Sequence, residues 1–323
     1  MYLYIGLSAL AVLIAVALRG VYEKRTDIKP LPRLQPKIFG LALRADVKVA
    51  VMLSGWPDTH TVWEKQIDAM KEEYHIVSIA SPDHDRSALH RSWGYTLEEV
   101  PLMIQDCIDN HLGTDRKIDV LITHDWGALF GYYLIQSWKD HGKLNVERLI
   151  AIDVGASEND DASQPAYVPG VTQATLFSVP YQLFLGSLFV IGSGLSESMA
   201  EFIASNGWPL MPLITPMKST FDWNKEAVRP QREVKWWFGY TYFYLWMGRL
   251  GLGPSVPSPV FPSIPTLFVY GAQKRTMFHS DAFVERLKVT SGCNVIEYPN
   301  SSHWLMYTDS QAFNQDLFRF ISS

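Results

Sequence analysis

Short apolar runs recur along this chain, each parted from the next by a stretch with helical spacing, and that alternation limits the folds open to it. "VKVAVML" at 47–53 is β-branched, apolar nearly throughout and stopped by "SGWPD". Such a run reads as a buried strand followed by a loop. The same holds for "HIVSIASPD" (75–83), "KIDVLITHD" (117–125), "VERLIAIDVG" (146–155), "PTLFVYG" (265–271) and "NVIEYP" (294–299). Helical patterns fill the gaps in "TVWEKQIDAMKEEY", "TLEEVPLMIQDCIDNHL", "GALFGYYLIQSWKDH" and "DAFVERLKVT", with a last helix near 309–321. Pro101 must sit near the start of the second of these or bend it. Strands alternating with helices predict a mostly parallel sheet with crossover helices.

The rhythm breaks between 156 and 258, where aromatics and Met crowd into "YQLFLGSLFV" and "EVKWWFGYTYFYLWMGRL". The two flanking halves need each other's strands, so one domain carrying a helical insertion fits better than two in tandem. The expected organisation is a core of residues 21–155 and 259–323 with an inserted helical unit at 156–258. A Pro/Gly/Ser-rich "GLGPSVPSPVFPSIP" (251–265) reads as a linker. Lys225, Arg229, Arg232, Glu233 and Lys235 interrupt the insertion too often for a membrane span.

The amino terminus differs from all of this. Met1 to Leu18 contains no charge, and at about 1.5 Å per residue it reaches most of the way across a hydrocarbon layer about 30 Å thick. Arg19, Lys24 and Arg25 follow it. The expectation is an uncleaved single-pass anchor over residues 1–20, in the endoplasmic reticulum, with the rest of the chain in the cytosol. A cleaved signal peptide is the rival reading, although the basic start and small-residue exit that it needs are missing. A net charge of -5 with scattered cations gives no reason to expect nucleic acid. Cys107 and Cys293 stand far apart without metal-ligand spacing, so neither a disulfide framework nor a zinc site is expected.

In "LITHDWGALFG" (121–131) a strand runs into a tight turn and then a helix, and the residue at the turn is Asp125. A side chain there stands above the carboxyl ends of a parallel sheet, where such sheets bind ligands. An aspartate before a helix is by itself as readily an N-cap. The spacing, with Gly127 two residues on and Ala128 and Gly131 behind it, favours chemistry. The stretch resembles the nucleophile elbow of the α/β-hydrolase superfamily, in the His-Asp-Trp-Gly form of epoxide hydrolases and haloalkane dehalogenases. The likeness extends over about 47–320. It includes "SGWPD" at the oxyanion loop and "NSSHW" where those families carry a catalytic histidine.

The resemblance implies an α/β-hydrolase fold, a mostly parallel central sheet with flanking helices under a helical cap, needing neither cofactor nor metal. It implies that Asp125 attacks carbon to form an alkyl ester, which water activated by His303 then hydrolyses. Backbone N–H groups of Trp56 and Trp126 would stabilise the oxyanion. Tyr240 and Tyr242, in the cap, are candidates to polarise an epoxide oxygen, with Tyr244 beside them. Aromatics of such a segment are more often packing, and two of these three are expected to be that.

Three positions depart from the pattern. Thr123 stands at the elbow's first glycine, Ser54 replaces the oxyanion-loop histidine, and "GAQKR" puts Lys274 where many relatives carry the acid that orients the histidine. A lysine cannot accept the imidazole's hydrogen bond. Some haloalkane dehalogenases take this acid from the end of the preceding strand, where this chain has Asp153; Asp281 is the weaker substitute. The function expected is hydrolysis of a small apolar epoxide to a vicinal diol beside a membrane, with no obligate protein partner. Haloalkane dehalogenation is the close alternative, with Trp126 and either Trp56 or Trp223 holding the halide, and a non-catalytic lipid-binding protein is the third.

Overall fold

The computed structural model describes residues 30–86, 91–143, 145–160, 173–207, 222–256 and 258–323, together with Val12, Ala15, Val16, Arg19 and Lys218. The expected anchor therefore lies, but for four of its residues, outside the described residues. Among those that are described, no helix is long and apolar enough to cross a membrane.

Seven strands form one sheet: β1 (Lys37–Gly40), β2 (Lys48–Leu53), β3 (Tyr74–Ile79), β4 (Val120–His124), β5 (Leu149–Ile152), β6 (Thr266–Gly271) and β7 (Asn294–Tyr298). Their order is β1-β3-β2-β4-β5-β6-β7. Only β1, paired with β3, runs antiparallel; every other neighbouring pair is parallel. Six of these strands are the apolar runs of the sequence. β1 is not, because four mostly exposed residues beside a Pro-rich spacer carry no pattern to read.

Alternate residues of each central strand enter opposite layers, as the two-residue period of a strand requires. Val49, Val51 and Leu53 pack on one side with Leu121, Leu149 and Phe268. Ala50 and Met52 pack on the other with Ile122, Ile150 and Val269. A sheet covered on both faces needs continuous apolar strands, which is why these segments show no polar face. The first layer is covered by α2 (Glu99–Leu112), α3 (Trp126–Asp140) and α8 (Asp281–Val289), the second by α1 (Glu64–Met70) and α9 (Ser310–Ile321). Pro101 lies in the first turn of α2, where its missing N–H costs nothing.

Between β5 and β6 the chain leaves the sheet and forms α4 (Gln173–Gly194), α5 (Glu197–Gly207), α6 (Trp223–Glu226) and α7 (Tyr240–Arg249). Its outgoing and returning strands run side by side. Ser157 N–H donates to the Pro259 carbonyl and Phe261 N–H to that of Asn159, both at 2.9 Å. The segment expected as a linker is thus pinned to the core, with Val260, Phe261 and Ile264 buried. Arg229 ties the inserted helices to the loop regions after β2 and β3: its guanidinium donates to the carbonyls of Pro57 (2.6 Å) and His84 (2.8 Å).

Candidate active site

Asp125 follows β4 and precedes α3 with φ 54° and ψ -124°, a backbone that side-chain-bearing residues seldom adopt. Strain of this kind persists only where the surroundings enforce it. Here the enforcement is close contact. A Cβ on Gly127 would lie 2.3 Å from the Leu53 carbonyl oxygen, and one on Gly55 would lie 2.4 Å from Oδ1 of Asp125. Thr123 is accommodated by a matching vacancy, since its Cγ2 occupies the place where a side chain on Gly131 would begin. Its hydroxyl donates to the Ile150 carbonyl at 3.1 Å.

The two oxygens of Asp125 have different neighbours. Oδ1 accepts the Trp56 N–H at 2.7 Å. Trp126 is the first residue of α3, and so its own N–H has no acceptor within the helix. Oδ2 lies 3.5 Å from Nε2 of His303, long for a hydrogen bond and within ion-pair range.

His303 sits in the loop after β7, its carbonyl held by Nε2–H of buried His124 at 3.0 Å. Its Nδ1 bonds Oδ2 of Asp153, which follows β5 with φ 72°. The other oxygen of Asp153 is bound by the ammonium of Lys274, and both side chains are fully buried. Asp281, the weaker candidate, instead lies exposed in the first turn of α8. Position 274 therefore holds no acid but the countercharge for one. Burial opposes ionisation of Asp153, yet Lys274 and His303 outweigh it and hold the carboxyl well below the usual carboxylate range. Burial likewise works against a charged His303. The carboxylates of Asp153 and Asp125 overcome it and push the imidazole up to about 9.

Removing one partner of a buried ion pair strands the other, which costs about 3–5 kcal/mol. Lys274→Met is accordingly expected to lower the unfolding free energy by an amount in that range, measured by urea unfolding of the full chain at neutral pH.

Beneath this cluster lie groups that the sequence did not single out. Asp58, at the end of "SGWPD", accepts the indole N–H of Trp304 at 2.7 Å and so joins the loops that carry Trp56 and His303. Burial pushes its carboxyl up to about 7. With Ser54 in place of the oxyanion-loop histidine, the imidazole of His84 packs beside the backbone of Gly55 and Asp58, its pKa brought down to about 3 chiefly by burial. A histidine reaching that loop from the next strand leaves no local trace in sequence.

Asp125 opens into a cavity of about 350 Å³. Leu129, Val179, Leu245, Val256 and Phe278 make its wall largely apolar. Two phenols, Tyr181 and Tyr242, line the cavity with the carboxylate. Tyr242 packs edge-on to Trp126 (5.4 Å between ring centroids), Trp56 (6.1 Å) and Tyr181 (5.6 Å). Its hydroxyl pairs with that of Tyr181, which Gln182 also bonds. Burial, then the nearby charges, keep both phenols neutral far above neutral pH.

Tyr240, expected over the cleft, points elsewhere. Its hydroxyl donates to the Pro82 carbonyl at 3.3 Å, as that of Tyr244 does to Trp93 at 2.8 Å. Residues two apart on a helix face nearly opposite ways while those four apart share a face, so Tyr242 had to part from its two neighbours. Tyr181 was not anticipated. Ser178, Tyr181 and Gln182 line the cavity at i, i+3 and i+4 of α4, a spacing that groups them without saying what they face. Trp223, a candidate halide donor, gives its indole N–H to the Arg229 carbonyl at 2.8 Å. Among the described residues no cluster of three or more His, Cys, Asp or Glu could hold a metal ion.

Comparison with solved structures agrees with this architecture. A Bacillus megaterium epoxide hydrolase in complex with an inhibitor superposes with a TM-score of 0.59 at 16% identity, over 90% of this chain and 97% of that one. An enol-lactonase from Burkholderia xenovorans gives 0.57 at 13%, over 90% and 96%. An Exiguobacterium antarcticum esterase gives 0.54 at 16%, again over 90% and 96%. At such identities the likeness is one of fold. No curated protein matches the sequence. The model of the Alpha/beta hydrolase family matches residues 50–316, and with that span covering most of the sheet and the whole candidate site, the chain belongs to this family.

Proposed function

We propose that the protein hydrolyses an apolar epoxide to a vicinal diol through an ester on Asp125. The observation that carries this reading is the division of labour between the two oxygens of Asp125 in a cavity shared with a pair of neutral phenols. Oδ2 attacks an epoxide carbon, the carbon–oxygen bond breaks, and the leaving alkoxide takes a proton from Tyr181 or Tyr242. Oδ1 remains at the Trp56 N–H as the carbonyl oxygen of the new ester. Water then adds to that carbonyl while Nε2 of His303 takes its proton, and the N–H groups of Trp56 and Trp126 hold the resulting oxyanion. Before that attack the imidazolium gives its proton to the tyrosinate left by ring opening; collapse then releases the diol, its alkoxide protonated by the imidazolium that the water formed, and the freed Asp125 carboxylic acid returns a proton to His303. No metal or cofactor enters either step.

The ester switches on its own hydrolysis. While Asp125 is anionic, His303 is held as an imidazolium. Esterification removes that negative charge and the bond to it, so the imidazole loses part of what raised its pKa and can act as a base. Dehalogenation would call on Trp126 with Trp56 or Trp223 to hold the halide; the Trp223 indole is already given to the Arg229 carbonyl, whereas the two phenols suit an epoxide oxygen. The bonded Asp153 speaks against a merely lipid-binding role. The inserted segment 156–258 is read here as the cap that closes the site, and the uncharged amino terminus as the anchor that keeps it beside apolar substrates.

A single turnover of styrene oxide in heavy-oxygen water tests the route. Label should enter Asp125 and be absent from the diol; label appearing directly in the diol, with Asp125 unlabelled, rejects the ester. Tyr181→Phe and Tyr242→Phe should each lower kcat by about 100-fold, the loss typical of one preorganised donor, with little change in KM. Steady-state kinetics on the two variants check this.

A further inference from the structure

One cation of the cavity is not used by the chemistry above. Tyr242, Leu245, Trp246 and Arg249 all line it, at i, i+3, i+4 and i+7 of α7. That spacing is a single helix face. Seven residues at about 1.5 Å each place Arg249 about 10.5 Å along the helix from Tyr242. The cavity is thus polar at two ends, at Asp125 with its phenols and at Arg249, with apolar wall between them.

Arg249 differs from the other arginines of this region. Arg286 is paired with Asp160, and Arg229 is taken up by two backbone carbonyls. Among the described residues Arg249 has the ring of Trp246, 5.5 Å away, with the phenols of Tyr133 and Tyr181 as the groups that bear on its charge. No carboxylate among the described residues pairs with it. Arg249 lines the cavity and is exposed at its mouth without a carboxylate partner among the described residues, so its guanidinium is suited to bind an anion by a charge-assisted, bidentate contact.

We infer that the cavity takes an amphiphile whose carboxylate pairs with Arg249 while its apolar body runs along α7 towards Asp125. This deepens the epoxide reading by naming the substrate class as carboxylate-bearing apolar epoxides, and rests on that reading only for the reaction at Asp125. An uncharged substrate of the same shape leaves the guanidinium to solvent and gains nothing from it. A carboxylate bound at Arg249 also fixes which carbon of the chain reaches the nucleophile.

Binding of unreactive ligands separates this inference from the ester mechanism. Decanoate and decanol are titrated against the full chain, following the fluorescence of Trp126 and Trp246 in the cavity wall. Decanoate should bind about tenfold tighter or more, and rising salt should weaken decanoate alone. Arg249→Met should remove the preference while leaving decanol affinity as it was, and Arg249→Lys should retain a part of it. Equal affinity of the wild type for the two ligands overturns the inference, as does a preference that survives in a folded Arg249→Met. Should that variant fail to fold, the salt dependence in the wild type decides, and a decanoate affinity indifferent to salt counts against the site. Neither ligand can form an ester, so these outcomes stand apart from the heavy-oxygen result.

Discussion

Asp125→Asn should lower turnover of styrene oxide by at least about 10,000-fold, an effect of the size seen when a nucleophile is removed from a covalent mechanism. The carboxamide keeps the shape of the carboxylate and still offers an oxygen to the Trp56 N–H, so the turn should survive and the thermal midpoint stay close to that of the wild type. What is lost is the anionic oxygen facing His303. An amide nitrogen carries no charge and no available lone pair with which to open a three-membered ring. Residual turnover within about tenfold of the wild type would mean that water attacks the epoxide directly and that Asp125 is a turn residue only.

Asp153→Asn should separate the two halves of the reaction. Alkylation of Asp125 does not use the Asp153 side chain and should proceed, whereas hydrolysis of the ester needs His303 in the tautomer and orientation that Asp153 imposes. Loss of such an orienting carboxylate costs about 10,000-fold in triad enzymes, so intact protein should gain the mass of one substrate molecule and keep it. The pH dependence follows from the direction of the imidazole's shift. With Asp125 ionised, His303 stays protonated up to about 9, and alkylation should be flat below that value. In the ester the pKa is lower, so raising the pH frees the base and speeds hydrolysis. Quenched wild-type enzyme should therefore hold more ester at pH 5.5 than at pH 8; the opposite trend would assign the base to another group.

How much could be read from the residues alone depended on the range of the interactions involved. The strands were legible because burial on both faces leaves an uninterrupted apolar run, which is a local signal. Asp125 was legible because a tight turn demands small residues at fixed offsets. His303 and Asp153 could be named through the resemblance, at the ends of recognisable strands; the structure places His303 beside Asp125 and Asp153 on the other nitrogen of that imidazole. Lys274 could be seen only as a missing acid, since nothing local indicates that its ammonium reaches across from β6 to the residue after β5. Tyr181 and His84 were invisible for the same reason: each matters through a neighbour far away in the chain. The choice of Tyr240 was avoidable, because helical periodicity sets it apart from Tyr242 without any knowledge of tertiary structure.

The paired bonds between Ser157 and Pro259 and between Asn159 and Phe261 have a consequence for how such a protein diversifies. They bring the two ends of a hundred-residue excursion within one hydrogen bond of each other, so the sheet supports whatever is hung there without being bent by it. Exchange of that module for one of another shape leaves Asp125, His303 and Asp153 where they are, and the cavity above them can change while that trio stays fixed.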